Sequence, residues 1–225
     1  MPRTGQTFSL KNRDIAMDIY EAFEKRRTVR DFSSREVPED ALERILGAAF
    51  KAPTNDHLRQ FEFVVVRDRA QIARVISPLA GNIEAFTREN VEAFAGEMDR
   101  DEYAMFMDAM PKQQKMLAQS GCLVLPFFFH RGSHLLKPAD LSGLNYFASV
   151  WAAIENILLA ATAEGLACAI HIPVAAEAEH VKSVVVAPEN YEFPCFIAIG
   201  YAAEDAHICR QKEIRPADRI HREIW

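Results

Sequence analysis

The 225-residue chain lacks most of the short signatures that announce a chemistry. Its four cysteines, Cys122, Cys168, Cys195 and Cys209, form no CxxC pair, and each sits in or beside an apolar run. Buried free thiols in a reducing compartment, the cytoplasm, are therefore expected. There is no GxGxxG and no phosphate-loop pattern, which argues against a conventional nucleotide fold. A GxSxG elbow is missing too. His130 and His134 stand four apart without the carboxylate of HExxH or a third ligand, so no metal site is expected. Basic residues are not in surplus: 26 Lys and Arg face 32 Asp and Glu, a net charge of −6. That balance disfavours nucleic acid as a partner but leaves room for a local anion site. MPRTGQTFSLKNRD has no apolar core of the kind a signal peptide needs. The longest apolar stretch, Phe147 to Ala163, is interrupted by Glu155 and Asn156 and reads as too short and too polar to span a bilayer, so no membrane association is expected. An empty set of nucleophile signals fits an enzyme whose hard chemistry belongs to a bound cofactor.

What is present is the balance of a globular protein, with 49% hydrophobic and 26% charged residues. No linker, repeat or low-complexity tract divides the chain, so one domain over 1–225 is expected. Helical spacing predicts a helix over 18–27 ending in KRR. Pro38, Glu39 and Asp40 open a second helix, with Leu42, Ile45, Leu46 and Ala49 on one face, which Pro53 ends. FEFVVV (61–66) and LVLPFFF (123–129) read as strands. Pro126 requires a strand end, a bulge, or a neighbour that does not need its N–H. Helices are expected over 69–77, 83–97, 101–119, 147–163 and 177–186, and strands over 167–172 and 195–201. Without regular strand–helix alternation, an α+β sandwich is the fold class.

The most informative segment is Arg26-Arg27-Thr28-Val29-Arg30-Asp31-Phe32. In an extended chain Arg26, Thr28 and Arg30 share a side, and two guanidinium groups flanking a hydroxyl match the oxygens of a phosphate. A solvated basic helix end would show the same residues. The polar loop from Pro53 through Thr54, Asn55, Asp56, His57 and Arg59 runs directly into a strand, a usual place for ligand contacts and equally for a plain surface turn. Lys112 and Lys115, three apart, add positive charge to a site or face solvent.

Taken in order, RRTVRDF, the amphipathic helix and APTNDHLRQFEFVVV resemble the RRSxRxF and APSxxNxQPWxFxVV pattern of the nitroreductase family. AIENILLAATAEGLACAIHIP, VKSVVVAPENYEFPCFIAIGY and KEIRPADRIHREIW resemble its buried helix and Gly-Leu-Gly-Ser turn, its later helix and strand, and its basic tail. The resemblance implies a sandwich with a central, mostly antiparallel sheet flanked by helices, in an intertwined homodimer with FMN at the subunit interface. Arg26, Arg27, Thr28 and Arg30 would hold the phosphate and ribityl chain, and Pro53, Thr54, Asn55 and His57 would come from the partner chain. Lys115 and Lys112 would face the pyrimidine edge and ribityl hydroxyls. Ile170, His171, Ile172 and Pro173 would pass the flavin ring, and Lys212 or Arg215 would meet the phosphate from the tail. Residues 68–120 would form a variable helical region over the substrate, and 202–225 a tail against the partner subunit.

The implied activity is transfer of reducing equivalents from NADH or NADPH through flavin N5 to a nitroaromatic, quinone or similar small acceptor, by a ping-pong mechanism. No side chain need act as acid or base, although His57 and Arg59 are candidates. Several positions depart from the family: His57 for Asn, Arg59 for Gln, Gln60 for Pro, Phe61 for Trp and Pro173 for Gly. They leave the phosphate residues intact and mark a divergent subgroup. Ene reduction, dehalogenation, flavin fragmentation or non-catalytic flavin binding are the alternatives.

Overall fold

Side-chain alternation sets the frame. A computed structural model describes residues 17–79, 99–130, 144–211 and 213–224; the helix expected over 83–97, His134 and Lys212 lie outside them. Among these residues five strands pair antiparallel: β1 (Phe61–Val66), β2 (Cys122–Phe129), β3 (Ala167–His171), β4 (Tyr191–Glu192) and β5 (Phe196–Gly200). Their order is β1-β2-β5-β3, with β4 beside the C-terminal end of β2. Successive residues of a strand leave opposite faces. Cys122, Val124 and Phe128 of β2 thus join Phe61, Cys168, Ile197 and Ile199 in one core. Leu123, Leu125 and Phe127 join Val66, Ala169, Phe196 and Ala198 in the other.

Helices close both cores. Over the first lie α1 (Ile19–Lys25), α2 (Glu39–Ala49) and α6 (Asn145–Ala163), the latter two contributing Leu42, Ile45, Val150, Ile154 and Ile157. Over the second lie α3 (Arg69–Val75), α5 (Gln113–Gln119) and α7 (Ala175–Val184), with Ile72, Val75, Met116, Leu117 and Val181. Covered on both faces, β2 has no polar alternation left, which is why LVLPFFF reads as one apolar run. Its proline is accommodated by the topology. Phe129 donates its N–H to Gln60 on the β1 side, so by alternation the missing donor of Pro126 faces away from β1. On that side β5 pairs with residues 122–124 and β4 with residues 128–129. Pro126 falls in the gap between them.

Three expectations are corrected. The stretch 101–119 is not one helix: α4 (Arg100–Ala109) and α5 are separated by a 3₁₀ turn, Met110–Lys112, built around Pro111. Proline cannot continue an α-helix because it lacks the N–H and clashes with the preceding turn. The apolar helix begins at Asn145 rather than 147, and its 19 residues are long and apolar enough to cross a membrane by length and composition alone. Its apolar face is instead spent on α2, β2 and β3. Cys122, Cys168 and Cys195 are buried as expected, whereas Cys209 is only partly covered.

The two glycines Gly121 and Gly200 bring neighbouring chains unusually close. A Cβ on Gly200 would stand 2.8 Å from the backbone nitrogen of Gly121 and 2.9 Å from Phe32 Cδ1. Gly200→Ala should therefore destabilise by about 1–3 kcal/mol, the usual cost of overpacking. Gly47→Ala, inside α2 with open space around it, should stabilise by about 0.5–1 kcal/mol. Urea unfolding midpoints of both variants check the pair.

Candidate functional site

The basic segment is placed by its backbone. α1 ends at Lys25 because Arg26, its C-cap, turns to extended geometry. The chain then crosses the end of the sheet: Val29 N–H bonds to Cys168 carbonyl (3.1 Å), Ser33 N–H to Tyr201 carbonyl (2.9 Å), and Ala203 N–H to Asp31 carbonyl (2.9 Å). Val29 and Phe32 are buried, which turns their polar neighbours outward. Arg27, Thr28 and Arg30 line a cleft of about 160 Å³, completed by Met105 of α4 and by Cys209 and Gln211 of the tail.

Two guanidinium groups and a hydroxyl in one cleft can donate hydrogen bonds to the oxygens of an anion. Arg27 is anchored by a hydrogen bond to the Cys209 carbonyl. The Nε of Arg30 is buried and has no hydrogen-bond partner among the described residues. A buried, unpartnered guanidinium donor is costly unless a ligand accepts from it, and a phosphate does so at short, charge-assisted distances. Arg26 does not line the cleft; the expected 26/28/30 face is replaced by 27/28/30, because the strand-like crossing begins only at Thr28.

Lys112 is committed elsewhere. Its ammonium lies 2.9 Å from Asp108 and 3.2 Å from Asp31. Burial opposes its charge, but the two carboxylates override that and hold it above its ordinary value. Asp108 also accepts from the Cys209 thiol (3.0 Å) and lies 3.1 Å from His207 Nδ1. Lys115 is exposed on α5 and does not line the cleft. Arg215 is exposed and makes a two-pronged pair with Asp218 at 3.0 and 3.1 Å, so the tail reaches the cleft through Cys209 and Gln211. These two, with Met105, were missed by sequence reasoning. They carry no motif, and sequence distance hides their meeting with Arg27.

The loop after α2 is a separate locus. Asn55 N–H bonds to Ser149 Oγ (3.0 Å), and Asn145 Nδ2 bonds to Asn55 Oδ1 (3.2 Å), tying the loop to the start of α6. Asp56, His57 and Arg59 all have left-handed backbones, with φ of 48°, 55° and 48°. Such strain in non-glycine residues concentrates at functional loops. Pro53 and His57 are exposed, Thr54 and Asn55 half-buried. The Arg59 guanidinium folds back, Nε to the Phe50 carbonyl (3.0 Å) and Nη1 to the His57 carbonyl (3.3 Å).

At the end of β3 the segment Ile170–Pro173 is held from beneath. His171 Nε2 lies 3.3 Å from Glu177 Oε2 and Nδ1 lies 3.1 Å from Gln113 Oε1. Glu177 and Gln113 are 2% and 6% exposed. Gln113 is oriented by donating Nε2–H to the Ala109 carbonyl (2.8 Å), and Glu177 also accepts Val174 N–H (3.0 Å). Both atoms facing the ring are oxygens, and a neutral imidazole can donate to only one. Protonation would satisfy both, but burial wins over the pull of Glu177 and pushes His171 below the usual imidazole range. Ile172 and Val174 beyond it are exposed.

The model of the Nitroreductase family matches residues 23–201. An iodotyrosine deiodinase of Haliscomenobacter hydrossis is 26% identical over 193 residues, covering 85% of this chain and 82% of its own. A putative NADH dehydrogenase/NAD(P)H nitroreductase of Archaeoglobus fulgidus is 27% identical over 203 residues, covering 89% and 94%. Among solved structures, an iodotyrosine deiodinase bound to FMN and 3-iodo-L-tyrosine superposes with a TM-score of 0.68 at 20% identity, covering 92% of this chain and all of that one.

The depressed His171 fixes a pH response. Below the unfolded value of about 6.5 the unfolded chain takes up a proton that the folded chain resists, so stability falls as pH drops through that value. Urea midpoints measured between pH 7.5 and 5 should decline, and the decline should be shallower in His171→Gln.

Proposed function

Because the chain belongs to the nitroreductase family, we propose that it binds FMN and passes reducing equivalents from NAD(P)H to a small organic acceptor. The observation that carries this reading is the buried Nε of Arg30, without a partner, at the wall of a cleft lined also by Arg27 and Thr28. The chemistry such a group supplies is two-electron transfer, from NAD(P)H in one half-reaction and to the acceptor in the other, in a ping-pong cycle. The protein's own part is positioning. Arg27 arrives pre-oriented by the Cys209 carbonyl, Arg30 gains the acceptor it lacks, and Thr28 and Gln211 complete a cradle for phosphate oxygens. Lys112, neutralised by Asp31 and Asp108, braces the wall of the cleft rather than adding charge to it. Met105 gives that wall an apolar side.

Pro53, Thr54, Asn55 and His57 do not line the arginine cleft of their own chain, which supports their serving the cleft of a second copy. The exposed apolar face of α1, Ile19, Tyr20 and Phe23, is the surface that such a copy covers in a homodimer. Ile172 and Val174, exposed above the His171 brace, are the ring-facing and substrate-facing positions. Pro173 has no N–H to offer there. The three deeply buried thiols, with burial pushing Cys122 up to about 11 and Cys168 up to about 12, fit a reducing cytoplasm.

A second reading, reductive dehalogenation, is favoured by one observation: a relative matching 85% of the chain is an iodotyrosine deiodinase. Turnover of NADH and NADPH with a quinone, a nitroaromatic and a halogenated tyrosine distinguishes the two. Purified protein should carry about one FMN per chain. Arg30→Ala should weaken FMN binding by about 10- to 100-fold, the worth of a lost hydrogen bond between charged groups, as read by flavin fluorescence on titration. A protein that is colourless and cannot be reconstituted with FMN would sink the proposal.

A further inference from the structure

The tail meets α4 in a second constellation that the anion cleft does not explain. Asp108, His207 and Cys209 bring a carboxylate, an imidazole nitrogen and a sulfur within 4.8 Å of one another. His207 and Asp108 are 99 positions apart in the chain, so no spacing rule reveals them. The geometry points to a mononuclear zinc(II) site formed by Cys209 Sγ, His207 Nδ1 and Asp108 Oδ2, with its fourth position open. This inference stands apart from the flavin reading and holds or fails without it.

The separations carry the argument. Sγ to Oδ2 is 3.0 Å, Nδ1 to Oδ1 of the same carboxylate 3.1 Å, and Sγ to Nδ1 4.0 Å. Tetrahedral zinc, with bonds of about 2.0–2.3 Å to these three ligand types, requires ligand–ligand edges of roughly 3.3–3.6 Å. The two edges from Sγ each lie within about half an ångström of that range, and rotation of the exposed His207 ring closes the remaining edge to Oδ2, which lies within 4.8 Å. The donor set, borderline-soft thiolate and imidazole with one carboxylate, suits zinc and excludes the oxygen-seeking magnesium and calcium. Charge is also settled: zinc displaces the thiol proton to solvent, and thiolate plus carboxylate then balance the divalent ion. Without metal, the thiol donates that proton in a hydrogen bond to Asp108 Oδ2, which holds Sγ in place. Lys112 grips the other oxygen, Oδ1, at 2.9 Å. It leaves Oδ2 for the metal and orients the carboxylate as an outer-sphere partner should. His207 is exposed, which supplies the entry path.

Zinc here would staple the tail to α4, with Cys209 as the shared residue whose carbonyl holds Arg27. The test uses the full chain and cobalt(II), which reports tetrahedral thiolate ligation by its visible bands and sulfur-to-cobalt charge-transfer absorption. One equivalent of cobalt should produce both, and one equivalent of zinc should abolish them while raising the thermal midpoint. Cys209→Ser should remove the charge-transfer absorption, since the other three thiols are buried. His207→Ala, a change at an exposed side chain that leaves the fold intact, should weaken zinc by more than about tenfold, at least the loss seen for outer-sphere partners. Cobalt spectra without charge transfer, or zinc bound equally by wild type and His207→Ala, overturn the assignment.

Discussion

Everything at the candidate site hangs on a short backbone crossing. Residues 28–33 are bonded to β3 at one end and to the chain leaving β5 at the other, and Phe32 packs against a glycine where any Cβ would collide. Val29 and Phe32 are the inward anchors. Because they bury themselves, the neighbouring guanidinium groups of Arg27 and Arg30 are left to line the cleft. A cationic pair held this way is organised before any ligand arrives, so little of the binding energy goes into ordering it. The same crossing bonds Ala203 to Asp31, which is how the tail comes to lie over the cleft at all.

The strands were legible because burial on both faces writes itself as a continuous apolar run, and α2 because its caps and periodicity agree. The basic lining of the cleft was legible in outline as a run of arginines around a threonine, although a solvated helix end writes the same residues. Its true face was not, since which of Arg26 and Arg27 turns inward depends on where α1 stops, a matter of one residue that capping alone decides. The partners from α4 and the tail were beyond reach for a different reason. Met105, Asp108, His207, Cys209 and Gln211 are ordinary surface-compatible residues, and only the tertiary return of the chain past β5 gives them a common neighbour. The break at Pro111 was readable, and weighing that proline above the periodicity around it would have separated α4 from α5.

The two buried polar residues beneath His171 were equally silent. Gln113 and Glu177 sit on helices whose other inward positions are apolar, and a sequence pattern reads them as exposed. The structure shows them gathered around one imidazole and bonded to backbone groups. Buried polar clusters of this kind fix a unique local geometry, since every alternative leaves an oxygen or nitrogen dry. Here the geometry being fixed is that of the exposed turn Ile172–Val174.

Pro126 has an effect beyond its own strand. A slide of β2 by two residues along its neighbours would keep every side chain on its proper face, so hydrophobic patterning alone does not forbid it. The pyrrolidine nitrogen does: moved two places either way, it would meet a carbonyl of half-buried β4 or of fully buried β5 and leave that oxygen without its donor. One imino acid thus acts as a pawl for the whole sheet, holding the central ribbon in a single tooth of the ratchet.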